Sequence, residues 1–181
     1  MKISKAAKKI ELSLTRRLFN MAKEYDNVID LTLGDPDVPP SDIIRKAASE
    51  AVFAGKTRYS ANAGLLPFRE AIAKNFLNEY GFEIDPTCEV MATVGGMEAL
   101  YLSLACMIDE GDEVIIFAPY YVNYKQMIRV CGGVPVIVNT LEENGYGICE
   151  KQLEEAVTDR TVAIIINTPS NPTGAVLSRN S

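Results

Sequence analysis

Apolar side chains recur at Ile3, Ala7, Ile10, Leu14, Leu18 and Met21, in steps of three and four. That spacing places them on one stripe and predicts a helix over residues 3–24. VIDLTL (28–33) then predicts a short strand, closed by the turn-forming residues of GDPDVPP. Ser41 stands where an N-cap is expected, for a helix running to about Ala54 and stopped by Gly55. KTRYSANAG (56–64) reads as a loop. Pro67 opens the next helix, with Phe68, Ile72, Phe76 and Leu77 along one side and Gly81 after it.

From residue 89 the pattern becomes strand and helix in alternation. EVMATV (89–94), DEVIIFAP (112–119), VPVIVNT (134–140) and TVAIIIN (161–167) predict strands. Between them, GMEALYLSLACMIDEG (96–111), YYVNYKQMIRVCGG (120–133) and EKQLEEAV (150–157) predict helices. The strands are apolar along most of their length and do not alternate, as expected where helices cover both faces. This order implies an α/β fold, a three-layer αβα arrangement on a mainly parallel sheet, preceded by an N-terminal helical segment. Residues 1–40 are expected to form a helix and arm, and 41–181 the larger domain.

Composition narrows the function. Of 181 residues 48% are hydrophobic and 23% charged, ordinary globular usage. A net charge of −6 argues against nucleic acid or an anionic membrane as partner. No run reaches the ~18 apolar residues of a membrane span. The four cysteines show no CxxC spacing and the chain has no histidine. A metal centre and a Ser-His or Cys-His pair are therefore not expected. Without a disulfide pattern or a signal peptide, the cytoplasm is the expected compartment.

Three stretches carry candidate chemistry. In TVGGMEAL (93–100) a strand runs through Gly95-Gly96 straight into a helix. Glycine lets backbone approach a ligand, and a helix start offers N–H groups and a positive dipole end, a combination suited to a phosphate. Packing alone also explains a double glycine. APYYVNY (118–124) follows a strand at the end of the sheet where open α/β folds bind ligands, and its tyrosines can stack on a planar ring or simply fill the helix–sheet interface. In TPSNPTG (168–174), Pro169 and Pro172 stiffen the exit from a strand and remove two donors. Asn171, held before a proline, is biased to extended backbone, so that its amide becomes an oriented donor. X–Pro bonds there tolerate the cis form.

Together these stretches resemble the fold-type I pyridoxal-phosphate (PLP) aminotransferases of class I/II, close to the aspartate aminotransferase group. PSNPTG is among that family's most specific motifs, and the likeness runs over residues 12–181. The resemblance implies that Asn171 donates to the phenolic oxygen of the cofactor and that Tyr121 stacks on its pyridine, in place of the family's tryptophan. It implies that the backbone of Gly95, Gly96 and Met97 holds the cofactor phosphate. Tyr59, in RYSANAGLLPFREAIA, matches the tyrosine that reaches the phosphate of the neighbouring subunit. Gly34, in LTLGDPD, matches the glycine whose backbone approaches the substrate carboxylate. The expected substrates are an amino acid and a 2-oxo acid, and the expected assembly is a homodimer. None of the ten lysines sits in a segment resembling the family's Schiff-base lysine. That lysine is expected beyond Ser181, the chain being the N-terminal part of a longer enzyme, inactive alone. Two other readings stand beside transamination. One is a PLP-dependent carbon–sulfur β-lyase, whose members usually carry histidine where this chain has Ser170. The other is a non-catalytic aminotransferase-like ligand-binding module.

Overall fold

The computed structural model describes residues 2–8, 10, 14–29, 31, 34 and 36–178. They form two compact units, one of Met1–Thr32 with Leu100–Ser181 and the other of Leu33–Ala99.

The first unit contains a parallel sheet of β1 (Glu113–Ala118), β2 (Val134–Asn139) and β3 (Thr161–Ile165) in the order β2-β1-β3. The central position of β1 explains its sequence. Val114, Ile115 and Ile116 are consecutive, point alternately to opposite faces, and are all fully buried. The sheet and its flanking helices form the expected α/β arrangement, with β1 covered on both faces. Its two neighbours are less buried, because among the described residues each pairs on one side only. Along β3, half-buried Thr161, Ala163 and Ile165 alternate with exposed Val162 and Ile164. The core gathers Val114 and Ile116 with Leu104 and Ile108, and with Tyr124, Met127 and Ile128 of α6 (Asn123–Val130). A helix at Glu150–Ala156 precedes β3 as expected.

The amino end of β1 is fastened by a side chain. Glu113, buried, accepts hydrogen bonds from Thr158 Oγ1 at 2.6 Å and Arg160 Nε at 3.0 Å, and pairs with Arg160 Nη2. Those two donors, first Thr158 and then Arg160, hold its carboxyl below the ordinary 4.5.

In the second unit, α3 (Asp42–Phe53) and α4 (Leu66–Tyr80) lie where the apolar pattern puts them. Ser41 precedes α3 without a side-chain capping bond, and Gly81 ends α4 in the left-handed region at φ 73°. The expected helix over 3–24 is instead two, Lys5–Lys8 and Leu14–Ala22, with Ile10 outside both. Two expected strands need correction. Val28, Ile29 and Leu31 are not in a strand, and residues 30, 32 and 33 lie outside the described residues. Residues 89–94 have no ladder partner among the described residues, and the Ala92 N–H donates to a loop carbonyl, that of Ala63, at 2.9 Å. A strand requires a neighbour as well as an apolar run. Among the described residues no helix is long and apolar enough to cross a membrane.

Candidate functional site

Two turns follow the carboxyl ends of β1 and β3. After β1 the chain passes the cis Ala118–Pro119 bond into Tyr120 and Tyr121. These two tyrosines stay outside α6, which begins at Asn123, three residues later than the apolar pattern suggests. Tyr124 is a core residue. Burial first, then the neighbouring Tyr121, raises its phenol above the ordinary value, so it remains protonated. Tyr121 is half-buried, meets Tyr124 edge-on at 5.5 Å and 77°, and accepts a hydrogen bond from Asn123 Nδ2 at 2.8 Å. Interface packing thus accounts for Tyr124, while Tyr121 stays half-buried at the edge of that core.

After β3 both the Thr168–Pro169 and Asn171–Pro172 bonds are cis. The turn is closed by side chains. Asn167 Oδ1 accepts from the Asn171 N–H at 2.8 Å, and Asn167 Nδ2 donates to the Pro169 carbonyl at 3.2 Å. Thr168 Oγ1 accepts from the Leu177 N–H at 3.0 Å, and the Ser170 carbonyl from the Gly174 N–H at 2.7 Å. Asn171 therefore has a fixed backbone, and its exposed side-chain amide has no hydrogen-bond partner among the described residues. It lines an open cleft with Phe117, Tyr120, Tyr146, Asn167 and Ser170. Tyr121 is not part of that lining. Asn167 escaped the sequence reading. Its signal was an Asn four residues ahead of the backbone N–H it accepts from, closing the turn much as Asx side chains do.

The second unit carries the glycine turn. Gly95 adopts φ +87°, which a side chain would strain, and α5 (Gly96–Met107) starts immediately after it. The Gly95 carbonyl accepts from the amides of Glu98 and Ala99, which opens the ladder of α5. A Cβ at Gly95 or Gly96 would meet nothing within 4 Å. The Glu98 carboxylate, in the first turn, accepts from the Val94 N–H, a second contact the sequence did not suggest. Tyr59 lies in the 56–64 loop with its side chain fully exposed. Gly34 is exposed too, and a Cβ there would meet nothing within 4 Å among the described residues.

Tyr121 and Asn171 thus belong to one unit, and Gly34, Tyr59, Gly95, Gly96 and Met97 to the other. Their chemistry fits PLP. An amide without a partner among the described residues suits a phenolate, and a positive-φ glycine before a helix start suits a phosphate.

Residues 26–181 match the family described as Aminotransferase class I and II. An aspartate aminotransferase of Geobacillus stearothermophilus is 41% identical over 180 residues, covering 97% of this chain and 46% of that protein. Aromatic-amino-acid aminotransferase 2 of Thermococcus litoralis is 39% identical over 179 residues, covering 99% of this chain and 46% of its own length. Among solved structures, the aspartate aminotransferase of Thermus thermophilus with maleate superposes with a TM-score of 0.94 at 36% identity, covering 99% of this chain and 48% of that one. The chain spans about half the length of the curated relatives it matches. It belongs to the class I and II aminotransferases.

Proposed function

We propose that the whole protein is a PLP-dependent aminotransferase that moves an amino group between an amino acid and a 2-oxo acid. The observation that carries this reading is identity near 40% along almost the whole chain to proteins named as aminotransferases. The exposed Asn171 amide on its side-chain-closed turn supports it locally.

When bound, PLP supplies an electron sink for the bonds at the substrate α-carbon. This chain's residues hold and orient it. Asn171 donates from its amide to the phenolic oxygen and stabilises that oxygen's negative charge. Tyr121 offers its ring face to the pyridine. The amides of Gly96 and Met97, presented by the Gly95 turn, donate to the phosphate, whose charge the start of α5 favours. Tyr59 donates its phenol to the phosphate in the neighbouring subunit of a homodimer. The Gly34 backbone meets the substrate carboxylate. The lysine that acts as acid and base on the substrate belongs to a segment outside residues 1–181. Residues 1–40 are the arm and 41–181 part of the large domain. A cytoplasmic setting goes with four cysteines that form no disulfide.

The test is a coupled assay of the full-length protein with PLP, amino acids and 2-oxoglutarate. Formation of glutamate and the matching 2-oxo acid is expected. Release of ammonia, pyruvate and a thiol from a cysteine conjugate, without transfer, would replace the reading by β-elimination.

A further inference from the structure

A buried guanidinium is costly unless its N–H groups are satisfied. Arg69, in the first turn of α4, is only 8% exposed. No carboxylate pairs with it among the described residues. It donates instead to three backbone carbonyls: Nε to Gly64 at 3.2 Å, and Nη1 to Pro86 and to Thr87, the latter at 3.3 Å. Its charge has a small effect on Asp85, whose carboxyl lies below the ordinary 3.8 chiefly through hydrogen bonds from Thr87.

The acceptors show what the guanidinium joins. Gly64 closes the loop that carries Tyr59. Pro86 and Thr87 begin the segment that runs to Gly95 and the start of α5. A second tie joins the same two stretches, from the Ala92 N–H to the Ala63 carbonyl at 2.9 Å. Gly64 sits at φ +93°, and a Cβ there would lie 2.7 Å from the Ala92 Cβ. The bare Gly64 backbone therefore packs against the Ala92 methyl group at this point, and a side chain at residue 64 would part the two stretches.

We propose that Arg69 is a positioning residue for cofactor binding, setting the Tyr59 loop against the segment that leads to the glycine turn. The proposal rests on the reading of Tyr59 and Gly95–Met97 as phosphate contacts. In a homodimer whose Tyr59 serves the neighbouring subunit, one arginine then fixes the spacing between a subunit's own phosphate cradle and the contact it lends its partner. Arg69 itself touches neither phosphate.

The test is a double-variant cycle on the full-length protein, reading the PLP dissociation constant by absorbance titration and amide hydrogen exchange over 56–64. Tyr59→Phe alone should weaken PLP by about tenfold to a hundredfold, the loss of one charge-assisted hydrogen bond. Arg69→Met should weaken PLP to a similar degree and speed exchange over 56–64. Arg69→Lys, which keeps the charge and can reach one or two of the carbonyls, should recover part of the affinity. In the Tyr59→Phe background, Arg69→Met should add little, because the contact it positions is already gone. A general loss of stability would instead weaken PLP by the same factor in both backgrounds. That result, or unchanged affinity in Arg69→Met, overturns the proposal and leaves the Tyr59 reading standing. Unchanged affinity in Tyr59→Phe overturns the Tyr59 reading and the proposal with it. If Arg69→Met does not fold, the cycle runs with Arg69→Lys, and affinity equal to the parent's overturns the proposal.

Discussion

The turn at 93–99 and the turn at 167–177 both present ligand-type groups, and they are built in opposite ways. In the first, the donors proposed for a ligand are main-chain amides, and the fold sets them through one glycine at φ +87° whose carbonyl starts the helix ladder. In the second, the proposed donor is the side chain of Asn171, and other side chains, Asn167 and Thr168, hold the backbone beneath it. A backbone donor tolerates many neighbours provided the conformation survives. A side-chain donor depends on its own identity and on its supports. Substitutions should therefore act through conformation at 93–99 and through chemistry at 167–177.

The largest effect is expected at Gly95. A β-branched residue is a genuine outlier at positive φ, and even an unbranched side chain costs about 1–2 kcal/mol there. Gly95→Val should make the turn rearrange and swing the Gly96 and Met97 amides away. Losing two charge-assisted bonds would weaken PLP by about a hundredfold or more in an absorbance titration of the full-length protein. Gly96→Ala makes the contrast sharper. Space for its Cβ is open, so stability should hold, while the methyl group would meet a phosphate placed on that amide. Equal PLP affinity for the parent and for Gly95→Val would take the phosphate away from this turn.

At the other turn the effect should be smaller and of a different kind. Asn171→Ala removes a neutral donor to an anionic oxygen, a loss of about 1.5–3 kcal/mol. It should raise the midpoint of the cofactor's visible pH titration, since the deprotonated form loses its donor. Asn167→Ala leaves the Asn171 side-chain amide in place but removes the acceptor for the Asn171 backbone N–H and the donor to Pro169. It should move the same midpoint in the same direction by less, and lower the thermal midpoint as well. A midpoint unmoved in Asn171→Ala would remove that residue from the site.

What the sequence revealed was what local signals encode. Pro67 and Gly81 bracketed α4, Gly55 followed α3, and the apolar runs marked β1, β2 and β3. Whatever depends on a distant partner was not legible. Residues 89–94 carry a strand pattern, but their Ala92 amide meets a loop carbonyl. β3 is as apolar as β1, yet only pairing order makes one central and the other half-exposed. Among the candidate residues, Gly95 and Asn171 stand out in the sequence because glycine and proline constrain the chain near themselves. Asn167 and Arg69 do not, since a polar side chain that accepts from or donates to backbone has no distinctive spacing. The three tyrosines of 120–124 form one cluster in sequence, and only packing separates core Tyr124 from half-buried Tyr121.

The smallest effect is expected at the amino end of the sheet, where a side chain again supports backbone but no ligand group stands nearby on its strands. Glu113 accepts from Thr158 and Arg160, and these bonds hold its carboxyl below 4.5. Folding therefore favours the ionised form, and the stability it contributes is complete above the ordinary carboxylate range. That contribution declines as pH falls below about 4.5 and is gone once pH has passed the depressed folded value. Arg160 is largely exposed, so solvent screens the pair and the effect is modest. Thermal midpoints of the full-length protein and of Glu113→Gln, compared between pH 7 and pH 3, check this. The parent should be the more stable at pH 7, and the gap should narrow as the solution is acidified. At pH 7 the cofactor's absorbance should match in the two proteins, because Glu113 lies at the opposite end of β1 from Tyr120 and Tyr121. A gap independent of pH would show that the ionised carboxylate contributes nothing, and an altered cofactor spectrum would show that this end of the sheet also controls the ligand turns.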